Sequence, residues 1–177
     1  CRFSWPPLTR LLRTPRGISY ARGTIGATEA APSTRLVFAH GLGDTKETAW
    51  SLVVSALSPL LAARRASADW LALDFSGHGA SRAQSNNPRW YVDHGDEVIE
   101  MLEDAGGASS ASLPTVGIGV SMGGAVLSTL ELRRPSTFVH TITHEPPLGT
   151  RLAALFGDVA TRLGRNPLAN SVLRRRA

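Results

Sequence analysis

The sequence predicts an α/β fold, a mostly parallel sheet with helices on both faces. Short runs of almost entirely apolar residues alternate along the chain with longer stretches whose apolar residues recur at helical spacing. The short runs lack the in–out alternation of a sheet with one wet face, so their strands are expected to be covered on both sides, as in a parallel sheet. No internal repeat interrupts this order.

Arg35–Ala39 (RLVFA) reads as the first buried strand and ends at His40-Gly41. Trp50, Val53, Val54, Leu57, Leu60 and Leu61 then follow helical spacing, with Pro59 expected to kink or break the helix. Trp70–Phe75 (WLALDF) is the second strand, closed by the turn Ser76-Gly77-His78-Gly79, and a polar loop runs from Arg82 to Arg89. Asp93 is placed to cap the next helix, with Asp96 and Glu97 in its first turn and Val98, Ile99, Met101, Leu102 and Ala105 on its apolar face. Gly106-Gly107 ends it. Thr115–Val120 (TVGIGV) is the third strand, and a helix from Met122 to Arg134 is stopped by Pro135. Phe138–Thr143 (FVHTIT) is the fourth, followed by Glu145-Pro146-Pro147. A last amphipathic helix is expected from Thr150 to Leu163, and an Arg174–Arg176 run ends the sequence.

The 177 residues suffice for one domain with a sizeable core, and 42% hydrophobic and 19% charged residues are ordinary for a globular protein. The formal charge of +5 is unevenly placed. Residues 29–150 hold eight Lys/Arg against thirteen Asp/Glu, while the two ends hold eleven Arg against Asp158 alone. A basic nucleic-acid-binding face on the core is therefore not expected. No apolar run is long enough to span a bilayer. Cys1 is the only cysteine, which leaves no internal disulfide and no cysteine metal cluster. Cys1–Thr28 carries five arginines and no acid, a composition that suits an organelle transit peptide or an irregular start. Three segments are expected: an Arg-rich stretch over 1–31, an α/β core over 32–149, and the start of a cap region or a basic tail over 150–177. Because the sequence starts at Cys1 and not at Met, it is expected to be incomplete at this end.

Gly119-Val120-Ser121-Met122-Gly123 fits G-x-S-x-G between a strand and a helix. Such a turn lifts a serine hydroxyl above the strand ends and crowds its neighbours, so small residues are needed two before and two after the serine. The Met122 N–H then lies at the helix start, where positive partial charge gathers and an oxyanion is stabilised. A dinucleotide loop is the competing reading. It requires a glycine or alanine at position 122 when counted from Gly117, and Met122 stands there. Upstream, His40-Gly41-Leu42-Gly43-Asp44 follows the first strand. Its glycines allow close backbone approach, and the Leu42 N–H is the candidate second oxyanion donor.

In this order HGLGD, DFSGHGAS, GVSMGG and HEPP resemble the α/β-hydrolase superfamily over Arg35 to Gly149. In that family these segments follow strands three, four, five and six. The resemblance implies the α/β-hydrolase fold, Ser121 as nucleophile, and the Leu42 and Met122 N–H groups as oxyanion hole. It also implies that Asp74, His78 and Ser81 shape a turn near the site and do no chemistry. A serine at the elbow argues against the family's aspartate-nucleophile branches. Glu145 sits where some members carry the catalytic acid, although Glu145-Pro146-Pro147 reads more plainly as a turn leading into a cap.

A serine needs a base to take its proton. The family places a histidine after the last strand, and none follows Glu145 here. Of the histidines present, His40 and His78 read as structural and His94 as exposed on a helix. His140 and His144 flank the fourth strand, and only His144 lies near its C-terminal end, which leaves it as the candidate. Ending at this strand would also leave an open parallel edge, so a longer protein is expected. The expected activity is a serine hydrolase acting on a small-molecule ester, thioester, amide or lactone through an acyl-enzyme, with no metal and no cofactor. The alternative is a non-catalytic protein of the same fold, or an inactive fragment lacking the histidine. Arg-rich ends that contact nucleic acid or membrane form a third reading. Substrate, oligomeric state and compartment are not legible.

Overall fold

The computed structural model describes residues 5–81, 90–106 and 113–144, with the side chains of 90–92 left aside. The loop expected over 82–89, the acid position Glu145 and the segment from 150 onward lie outside the described residues. Six strands form one sheet in the order β1-β2-β4-β3-β5-β6. They are β1 (Arg10–Arg13), β2 (Ser19–Gly26), β3 (Thr34–Ala39), β4 (Ser67–Leu73), β5 (Thr115–Val120) and β6 (His140–His144). β4, β3, β5 and β6 run parallel, while β1 and β2 are antiparallel additions at one side. The three helices are α1 (Lys46–Ala63), α2 (Trp90–Gly106) and α3 (Met122–Arg133).

The strands are apolar on both sides because each side meets a separate core. Tyr20, Val37, Leu71 and Leu73 join Val98 and Met101 of α2 and Val126 and Leu127 of α3. The alternate residues Ala21, Phe38, Trp70 and Ala72 pack with Trp50 and Val54 of α1. This two-sided covering explains the missing alternation along β4, every residue of which is buried.

The first 31 residues require a correction. The Arg-rich stretch expected to stand apart from the core contains two strands of the sheet, and β2 pairs with β4 from Tyr20 to Gly26. Two of its arginines, Arg16 and Arg22, meet acids of the core. Arg22 lies 3.4 Å from Asp69, which also receives the buried Arg35 Nε at 2.9 Å. The Arg16 amide donates to Glu100 at 2.9 Å. Trp5 stacks on Trp70 at 5.0 Å between ring centroids. Gly23 makes room on the same ring, because a Cβ there would lie 2.9 Å from Trp70 Nε1.

α1 starts four residues earlier than the apolar spacing suggested. Thr45 caps it, accepting from Thr48 N–H while the Thr48 side chain returns a bond to the Thr45 N–H. The helix runs through Pro59 to Ala63. An interior proline costs roughly 3 kcal/mol. Trp50 and Val54, with Leu57 and Leu61 partly buried, offset that, since each fully buried large apolar side chain is worth roughly 1.5–3 kcal/mol. Val53 and Leu60, which belong to the same helical spacing, are exposed. α2 also starts earlier, at Trp90, so Asp93 lies in the first turn and is not the cap. Among the described residues no helix is long and apolar enough to cross a membrane.

Candidate active site

Three loops meet at the carboxyl ends of the parallel strands: residues 40–45 after β3, 74–81 after β4, and Ser121 after β5. Ser121 joins β5 directly to α3 at φ 49°, ψ −117°, a backbone conformation that a non-glycine residue rarely holds. The surroundings over-determine it. Its N–H donates to the His144 carbonyl at 2.8 Å, and its own carbonyl accepts from Ala125 N–H at 3.2 Å. A Cβ at Gly119 would lie 2.6 Å from Gly124 N, and one at Gly123 would lie 2.2 Å from Ala39 O. The glycines two before and two after the serine are therefore required by contact, as the motif reading expects. Met122 buries its side chain in the core, while its N–H is the first of α3 and has no intrahelical acceptor.

The loop after β3 packs against this turn. A Cβ built on Gly41 would be 3.4 Å from Ser121 Cβ and 3.8 Å from Val120 O. Asp44 N–H donates to Gly41 O at 3.2 Å and closes the turn that contains Leu42 and Gly43. Leu42 turns its side chain outward, 73% exposed. The structure thus brings Ser121, Met122 and the 41–44 turn together at one strand-end corner.

His40 has no freedom to act as a base. It is fully buried, and Phe75 N–H donates to its Nε2 at 3.1 Å. The proton must then sit on Nδ1, which donates to Gly41 O at 2.7 Å. Burial pulls its pKa below the ordinary value, so the neutral ring is the resting form.

Asp74, His78 and Ser81 form the turn after β4. Asp74 Oδ2 accepts from Ala80 N–H at 2.8 Å, Ser81 Oγ donates to Asp74 O at 2.6 Å, and Ser19 N–H donates to Ser81 Oγ at 2.7 Å. The His78 ring lies tilted beside that of His40, 5.1 Å between centroids. His94, expected to be exposed, is only 9% exposed. The reason lies partly far along the sequence: the His94 ring is 4.8 Å from that of Phe75, and its Nδ1 lies 3.0 Å from Glu97 Oε2 one turn along the same helix, while Glu97 also accepts from Ser76 N–H at 3.1 Å and bonds the Ser76 hydroxyl. Glu97 and His94 therefore fix the β4 turn from α2, a role that sequence spacing did not signal.

A cavity of about 410 Å³ opens beside the elbow on the α1 face, lined among others by Asp44, Trp50, Val120, Ile142 and His144. Among the described residues no group of three or more His, Cys, Asp or Glu side chains is placed to hold a metal ion.

Residues 36–177 match a family described as the alpha/beta hydrolase family. No curated protein matches the chain. Solved structures do. A hydrolase from Pseudomonas aeruginosa is 26% identical with a TM-score of 0.58, over 97% of this chain and 63% of its own. A probable hydrolytic enzyme from the same organism is 21% identical with a TM-score of 0.61, over 85% and 46%. A haloalkane dehalogenase from Agrobacterium tumefaciens is 18% identical with a TM-score of 0.57, over 79% and 42%. The last two likenesses concern the fold alone. This chain spans between 42% and 63% of the length of these three proteins. With the family matched from Leu36 onward, on the fold and strand-end corner described above, the chain belongs to the alpha/beta hydrolase family.

Proposed function

We propose that the protein is a serine hydrolase that cleaves a carboxylic ester, thioester, amide or lactone through an acyl-enzyme on Ser121. The observation that carries this reading is the strained backbone of Ser121, at φ 49°, on a strand–helix turn that glycines enclose. Strain of this kind persists where the surroundings enforce it, and here it presents a hydroxyl at the strand ends.

In the proposed reaction Ser121 Oγ attacks the carbonyl carbon and its proton passes to a base. The carbonyl oxygen takes the negative charge, held by the N–H groups of Met122 and Leu42. Collapse expels the leaving group with a proton, and water then attacks the acyl-enzyme to regenerate the serine. His40 is not that base, because its Nε2 already accepts from Phe75 N–H. The family resemblance assigns the base to a histidine after the last strand of the fold.

The test is hydrolysis of p-nitrophenyl butyrate and an acyl-thioester by the full-length protein that carries this sequence. Ser121→Ala is expected to lower kcat by about 10⁴ or more. Undiminished hydrolysis by a folded Ser121→Ala protein would exclude the serine mechanism. A folded wild-type protein inactive on every ester, thioester, amide and lactone tried would favour a binding role for the same corner.

A further inference from the structure

Lys46 is the only lysine among 177 residues, in a chain that otherwise uses arginine as its cation. It is the first residue of α1, and its side chain is 3% exposed. Its ammonium lies 2.6 Å from Asp74 Oδ2, on a side chain that is completely buried, and 3.0 Å from Glu47. Asp74 also accepts from the backbone N–H of the same Lys46, through Oδ1 at 2.8 Å. One carboxylate therefore grips both the main chain and the side chain of the residue that begins α1. The carboxylate is itself fixed to the β4 turn by Ala80 N–H. Gly79 has no Cβ, and one placed there would fall 2.3 Å from Asp74 Oδ2, inside the carboxylate.

The turn between Ser121 and Lys46 needs such an anchor. Its near end, Gly41, rests on Ser121, and its far end is Lys46. Between them Gly43 sits at φ +82° with no atom within 4 Å of where its Cβ would be, so packing does not hold this joint. Glycine there also allows the backbone to swing. The Thr45–Thr48 capping box holds the helix end to itself, but not to the sheet.

We infer that the buried Lys46–Asp74 pair is a positioning device that sets the direction of the Leu42 N–H, and so the strength of the second oxyanion donor. Asp74 and Lys46 touch no reacting atom. The inference rests on the serine-hydrolase reading above. A lysine suits the place because its compact ammonium reaches one carboxylate oxygen, where a planar guanidinium needs more room.

The experiment compares Lys46→Met with wild type in the full-length protein, using p-nitrophenyl butyrate and a phenylboronic acid that forms a tetrahedral serine adduct. Loss of a complete oxyanion donor lowers kcat by roughly 10²–10³. A displaced donor is therefore expected to lower kcat about tenfold, with KM changed less than about twofold. Boronate affinity is expected to fall by the same factor as kcat/KM, and Lys46→Arg to recover part of the loss. A merely structural role would not weaken the tetrahedral adduct selectively. A folded Lys46→Met protein with wild-type kcat and boronate affinity would overturn the inference. If Lys46→Met does not fold, Lys46→Gln, which keeps a side-chain donor towards Asp74 and loses the charge, is read in the same way. Ser121→Ala run alongside separates the two ideas: full activity there defeats the serine reading, whereas loss of activity there with a fully active Lys46→Met defeats only the positioning role.

Discussion

The two turns that meet at the nucleophile are held by different forces. The turn after β5 is fixed by exclusion: at Gly119 and Gly123 an added Cβ would sit 2.2–2.6 Å from neighbouring backbone. The turn after β3 is fixed by polar contacts, through His40 to Phe75 N–H and Gly41 O and through Lys46 to Asp74. Packing enters at Gly41, against Ser121, but not at the tip, where Gly43 faces open space. The first turn should therefore tolerate changes of pH and fail on any added atom. The second should tolerate an added atom at its tip and fail when a buried donor or acceptor loses its partner.

The largest stability effect is expected for Gly123→Ala. A methyl 2.2 Å from Ala39 O forces the elbow and the end of β3 apart, costing about 3 kcal/mol or more. A lowered Tm in a calorimetric scan of the full-length protein checks this. Next comes His40→Ala, which leaves Phe75 N–H buried without its acceptor and opens a void, at about 2–4 kcal/mol by chemical denaturation. The same histidine gives the polar turn a pH signature. Burial lowers its pKa below the ordinary 6.5, so below that pH the unfolded chain binds the proton more readily than the folded one. Its contribution to stability is complete above pH 6.5 and drains as the pH falls below it, by at most about 1.4 kcal/mol per pH unit. His40→Gln should flatten that part of the denaturation profile. The smallest effect is Gly43→Ala, which meets no atom and pays only for a positive φ, about 1 kcal/mol. Equal losses from Gly43→Ala and Gly123→Ala would break the contrast between the turns.

The same contrast explains what the sequence revealed. The elbow is legible because its constraint is local: glycines at 119 and 123 bracket Ser121 within five residues. The parallel strands are legible because burial on both sides makes them continuously apolar, as in β4. The hairpin of β1 and β2 was hidden for the opposite reason. Its arginines answer acids far along the chain, Arg22 to Asp69 and Arg16 to Glu100, and Gly23 is a space for the Trp70 ring. Composition alone shows the charge and not the partner. His94 differs from its expected exposure for the same reason, because the Phe75 ring that covers it lies far along the sequence, beside the Ser76 that its helix neighbour Glu97 holds. The Asp74–Lys46 grip spans 28 residues and carries no spacing rule; the family resemblance marks Asp74 as a turn residue but does not name its partner.

The most direct test of the account is covalent labelling of the full-length protein with a fluorophosphonate, followed by intact-mass measurement and peptide mapping. One adduct is expected, on Ser121, formed by the folded protein and absent from the unfolded protein and from Ser121→Ala. A folded protein that takes up no label, or one whose label survives Ser121→Ala, would contradict it.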